Sequence, residues 1–107
     1  MFTKKDSVSF KPLLDGIEMR ALAWEQKTLL CEFRLKKGYR IPPHKHPYEQ
    51  TGYLVSGKLN FRIGDKWNLA ESGDSWSIPE NMEHEVKILE NSVVLELFSP
   101  IRPDYLP

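Results

Sequence analysis

Lys58-Leu59-Asn60-Phe61-Arg62-Ile63 alternates polar and apolar side chains without a break. A period of two sends successive side chains to opposite faces of an extended chain. The stretch therefore predicts a strand that turns Leu59, Phe61 and Ile63 into a core. Leu29, Cys31, Phe33 and Leu35 repeat the pattern, with Glu32, Arg34 and Lys36 on the other side. Turn-forming pairs separate such runs: Asp15-Gly16, Lys37-Gly38, Ser56-Gly57, Gly64-Asp65, Ser72-Gly73 and Glu90-Asn91. Short strands at this spacing, with no sustained helical period, predict an all-β sandwich or barrel.

Val93-Val94-Leu95-Glu96-Leu97-Phe98 departs from simple alternation, because both of its faces are largely apolar. A strand buried on both sides needs cover for its outer face. A second copy of the chain and the chain's own N-terminal strand are the two candidates, and the sequence leaves both open.

The 107 residues fit one domain and leave no room for a second core. Net charge is zero and the charges are interspersed, which argues against the basic face of a nucleic-acid binder. No stretch reaches the roughly 18 apolar residues of a membrane span. The segment Met1–Ser7 lacks the apolar middle of a signal peptide, so cytoplasm is the expected compartment. Cys31 is the only cysteine and shares parity with Leu29, Phe33 and Leu35, which reads as a buried core thiol.

The histidines carry the chemistry. His44 and His46 are two apart, so both imidazoles face one way on an extended strand. Gln50 has the same parity if the strand continues through Pro47, and Glu49 then points away. His84 belongs to another strand or its leading turn. Three imidazoles converging inside a barrel make a site for zinc, iron, nickel or copper. Spacing alone leaves the alternative open: a hydrogen-bonded core histidine and a surface pair beside Pro42-Pro43.

The motif Gly38, five residues, His44-Lys45-His46, three residues, Gln50, six residues, Gly57 resembles the first motif of the cupins. Gln50 stands where many cupins carry glutamate. Gly73, five residues, Pro79, then Asn81 and His84 resembles the second motif, with Asn81 in place of a glycine. Asparagine tolerates the left-handed backbone better than most residues, so the turn survives. The resemblance implies a cupin jelly-roll β-barrel, one domain over 1–107 with a barrel core of about 16–100, commonly a homodimer. It also implies one divalent transition metal (zinc, nickel, iron or manganese) held by His44, His46, Gln50 and His84. Such neutral ligands leave the ion's charge uncompensated, which suits an anionic ligand and Lewis-acid work.

Glu96 shares a strand face with Val94 and Phe98. A carboxylate on an apolar face is costly unless paired or put to use, and burial raises its pKa toward the range of a proton shuttle. Arg102 carries a planar fork suited to a substrate carboxylate. The alternative is an internal Glu96–Arg102 salt bridge that closes the barrel end. Trp24, Trp67 and Trp76 read as barrel lining.

The stretches His44-Lys45-His46-Pro47-Tyr48-Glu49-Gln50 and Glu96–Tyr105 are similar to those of pectin-degradation cupins of the KdgF type. Members of that group convert cyclic unsaturated uronates into linear keto acids. The resemblance implies acid/base work at Glu96, sugar packing by Phe98 and carboxylate binding by Arg102. It departs in one place, since that group has aspartate where this chain has Glu96. The expected function is a metal-dependent enzyme acting on an unsaturated uronate or similar small anionic sugar acid. An iron-dependent dioxygenase and a non-catalytic small-molecule-binding cupin are the alternatives.

Overall fold

The computed structural model describes residues 1–107. Lys58–Ile63 forms the second half of the long strand β5 (Glu49–Ile63). The other strands are β1 (Lys11–Leu14), β2 (Ile17–Trp24), β3 (Leu29–Leu35), β4 (Arg40–His44), β6 (Lys66–Glu71), β7 (Ser75–Ile78) and β8 (His84–Ser99). A single 3-10 turn, Pro103–Tyr105, is the only helical element. No helix is long and apolar enough to cross a membrane.

All pairings are antiparallel. β5 and β8 pair along most of their length and together organise the barrel. The first half of β5 and the second half of β8 lie between β7 and β3, and β2 and β1 continue that sheet outward. The second half of β5 and the first half of β8 lie between β6 and β4 in a second sheet. Both long strands thus run along one sheet, turn a corner and return along the other. The result is the expected jelly roll, in which strands pass between packed sheets by way of bulges.

The corner is visible in the register. β5 buries Gln50, Gly52 and Leu54 before it and Leu59 and Phe61 after it. Even positions thus give way to odd ones across irregular pairing between Leu54 and Leu59, as an inserted residue requires. At the bend Ser92 is buried. Its hydroxyl accepts from the Lys58 N–H at 3.2 Å and donates to the Glu90 carbonyl at 2.8 Å. Gly57 lies against Ser92 with φ +112°, and an added Cβ would overlap the Ser92 hydroxyl and the backbone of residues 91 and 92. Gly57→Ala is expected to cost about 2–3 kcal/mol through strain and collision, read as a fall in Tm on the order of 10 °C.

The core contains Ile17, Met19, Leu29, Cys31, Phe33, Leu35, Leu54, Leu59, Phe61, Ile78, Val86, Ile88, Val94 and Phe98. Both alternating stretches therefore face inward as read. Cys31 is fully buried, and burial pushes its thiol up to about 12, leaving it an inert core side chain. In β8 the inward face is Val94, Glu96 and Phe98. The outer face is only partly covered, with Leu97 38% exposed beside Tyr53 at 47% and Val55 at 44%. The N-terminal segment crosses the β2–β3 part instead. There Phe10 stacks on Arg20 and Arg34, and Arg20 donates to the carbonyls of Lys5 and Val8.

Candidate metal centre

β4 is an edge strand, which is where Pro42 and Pro43 can sit without breaking a ladder. Its pairing with β8 shifts between Ile41 and His44, and that irregularity leaves His44 directly opposite His84, the first residue of β8. The extended run assumed through Pro47 does not form. β4 ends at His44, His46 lies in the connection, and Gln50 belongs to β5. The residues meet regardless. His46, Gln50 and His84 are buried and His44 is half-buried, and the ring nitrogens of the three histidines come within 4.8 Å of one another. Asn81, just before His84, has φ +63°, the left-handed conformation anticipated for it.

Each histidine donates Nδ1–H to a carbonyl two residues away in sequence: His44 to Pro42 at 2.9 Å, His46 to Tyr48 at 3.0 Å and His84 to Met82 at 2.9 Å. This fixes the tautomer and leaves each Nε2 with a free lone pair. Burial lowers the pKa of His46, with the Arg102 charge adding to it. Burial likewise pushes His84 down to about 4, aided by its histidine neighbours. The rings of His46 and His84 are therefore neutral near pH 7, as metal ligands must be.

Two observations test whether these residues fit a metal. His84 Nε2 is buried without a hydrogen-bond partner. His46 Nε2 stands 3.0 Å from Gln50 Oε1. With Nδ1 committed to Tyr48, both facing atoms are acceptors. An imidazolium would satisfy both oxygens, but the lowered pKa disfavours it. A cation shared by these lone pairs satisfies His46, Gln50 and the orphaned His84 nitrogen together. The ligands fit the expected group: two nitrogens bonded to one tetrahedral zinc ion stand about 3.4 Å apart, so ring nitrogens up to 4.8 Å apart would draw inward by about 1 Å on binding.

The same cavity is lined by Glu96 and Arg102. Glu96 is 5% exposed, and burial pushes its carboxyl up to about 8 against the opposing pull of the Gln50 amide and the Trp76 indole. Trp76 Nε1 donates to its two oxygens at 3.0 and 3.4 Å. The Glu96–Arg102 salt bridge considered from sequence is not formed. Arg102 pairs with Asp104 Oδ2 at 3.1 Å, and its guanidinium lies 3.8 Å from the Tyr105 ring centre, 5.0 Å from Phe98 and 5.1 Å from Tyr48. Its Nε is buried and unpartnered. Phe98 is 2% exposed and meets His46 and Tyr105 edge-on. It is thus cavity wall beneath Arg102.

Several participants escaped the sequence reading. Of the three tryptophans only Trp76 lines the cavity, whereas Trp67 is outside with Lys87 over its ring. Arg62, not located from sequence, clamps Glu83 and Glu85 beside His84. Tyr48 and Tyr105 gave no signal as partners of Arg102, because only the fold brings them together. Lys11, on β1, ties down the segment carrying Tyr105 by donating to the carbonyls of Asp104 and Leu106.

Comparison with known proteins agrees with this architecture. A family model described as the cupin domain matches residues 31–99. The chain is 30% identical over 103 residues to the pectin degradation protein KdgF of Dickeya dadantii (strain 3937), covering 94% of each. Among solved structures, KdgF from Halomonas sp. superimposes with a TM-score of 0.93 at 26% identity, covering 99% of this chain and 98% of that one. An RmlC-like cupin from Shewanella frigidimarina NCIMB 400 gives 0.93 at 20% identity over 98% and 95%, a likeness of fold. With its two motifs, its two-sheet barrel and a family match spanning most of its length, this chain belongs to the cupin-domain family.

Proposed function

We propose that this protein is a metal-dependent enzyme that opens small unsaturated uronates, or closely similar anionic sugar acids, into their linear keto forms. The observation that carries the reading is one cavity lined by ligand-ready histidines, a buried carboxyl and an arginine not paired with that carboxyl. Similarity to proteins named KdgF, one of them described as a pectin degradation protein, supports the substrate class.

His44, His46, Gln50 and His84 would hold one divalent transition metal. When bound, it supplies a Lewis acid that polarises a substrate oxygen. Arg102 binds the carboxylate, and its aromatic surround of Tyr48, Phe98 and Tyr105 keeps the guanidinium in place. Burial pushes the Glu96 carboxyl up to about 8, which brings proton exchange into the neutral range. Ring opening breaks the bond between the ring oxygen and the hemiacetal carbon. The hemiacetal hydroxyl loses a proton, and the former double-bond carbon gains one. No proton or electron is gained or lost overall, so a single carboxyl that gives one proton and recovers another suffices.

Metal-loaded protein incubated with lyase-generated unsaturated uronate should speed the decay of the conjugated absorbance. Decay at the buffer rate, with the metal verified by elemental analysis, would count against the reading. Arg102→Leu is expected to raise KM for the uronate roughly 10–100-fold, the size of a lost charge-assisted hydrogen bond, in steady-state kinetics.

The proposal extends to a homodimer, supported by the uncovered outer row of Tyr53, Val55 and Leu97. Sedimentation velocity should give a dimer for the natural chain and a monomer for Leu97→Lys.

A further inference from the structure

We propose that Trp76 is a positioning residue that sets where the Glu96 carboxyl stands in the cavity, acting across Gly52. This rests on the proton-transfer role given above to Glu96.

Three residues stand abreast on adjacent strands. Gly52 of β5 pairs with Trp76 of β7 on one side and with Glu96 of β8 on the other. Gly52 has no left-handed backbone, so no turn demands a glycine there. Space does: a Cβ at residue 52 would overlap both the Trp76 indole and the Glu96 carboxyl. Its missing side chain lets the neighbours on either flank meet over the sheet. The indole N–H reaches both oxygens of Glu96, and the Gln50 amide faces the same carboxyl.

The indole is itself held. Its ring centre lies 4.9 Å from that of Phe61, and Phe61 stacks toward His84 at 6.4 Å. A glutamate side chain has several rotatable bonds, and burying it without a directional partner would leave the carboxyl free to turn. One donor reaching both oxygens removes that freedom. Since misplacing a reacting group by about 1 Å can cost 10²-fold in rate, the indole should affect kcat without touching substrate.

The test is a double-mutant cycle on metal-loaded protein with unsaturated uronate. Trp76→Phe should lower kcat about 10–100-fold, with KM within threefold and metal content unchanged. Glu96→Asp withdraws the carboxyl from the indole, so Trp76→Phe added to it should lower kcat less than threefold further. Equal losses in both backgrounds, or a loss under threefold in the natural chain, would overturn the proposal. A second measurement stands apart from turnover and from the folding of the Trp76 variant. In 15N-labelled protein with natural Trp76, Glu96→Leu, which leaves the indole no acceptor, should displace one indole N–H resonance and hasten its exchange, and unmoved indole signals would overturn the proposal. If the natural protein shows no turnover while that resonance moves, the enzymatic reading fails and the Trp76–Glu96 coupling stands.

Discussion

His84→Ala should abolish metal retention. The variant removes the one imidazole whose Nε2 is buried without any protein partner, and that histidine stands opposite His44 across the β4–β8 ladder. Removing a supporting outer-shell group typically lowers metal affinity 10–100-fold, so loss of a direct ligand should exceed about 100-fold. The natural protein should gain thermal stability on titration with zinc or nickel, by about 2.7 kcal/mol at a hundredfold excess over Kd. In His84→Ala the melting temperature should stay flat over the same range. Metal-free samples of the two proteins supply the control, separating the lost ligand from the small cavity left by truncation. An unchanged metal response in the variant would show that any ion binds elsewhere.

Glu96→Gln should separate catalysis from stability in opposite directions. Activity on unsaturated uronate should fall 10²–10⁴-fold, the usual worth of a positioned acid/base. Chelator-treated protein should show the other half of the effect. The folded-state carboxyl titrates near 8 because burial disfavours its charge, against an ordinary value of 4.5. Between those values the folded chain keeps a proton that the unfolded chain has released. The natural protein's stability therefore falls as pH rises from about 4.5 to 8, by an amount on the order of a few kcal/mol. Glutamine has no charge to bury. The variant should melt near the natural protein at pH 5 and above it at pH 8.5. Parallel melting curves across that window would show that Glu96 is better solvated than its burial implies.

Much of this architecture was legible in one dimension. Period-two alternation identified the inward faces of β3 and of the second half of β5, because each buries one side only. The resemblance to the cupin motifs singles out His44, His46, Gln50 and His84, which the fold does bring together, and Asn81 adopts the left-handed turn that asparagine tolerates. Glu96 was read on the same face as Val94 and Phe98, and it lies there.

The unread parts depend on contacts between strands far apart in sequence. The parity change within β5 follows from bulges that no local pattern announces. Trp76 matters because Gly52 leaves room beside it, and Arg102 chooses Asp104 and an aromatic surround over Glu96 because of where the chain goes after β8. The parity of Gln50 with the histidines holds in sequence only if one strand runs through Pro47, whereas a loop and a second strand bring His46 and Gln50 together.

The doubling back of β5 and β8 has a mechanical consequence. His84 and Phe98 are near opposite ends of one continuous strand, yet both flank His46. An ion gripped by His84 and Gln50 would clasp the tips of a folded ribbon whose crease is the Gly57–Ser92 contact. Straightening the crease would pull the clasp apart, so metal release should track opening of the whole barrel rather than fraying of one rim loop.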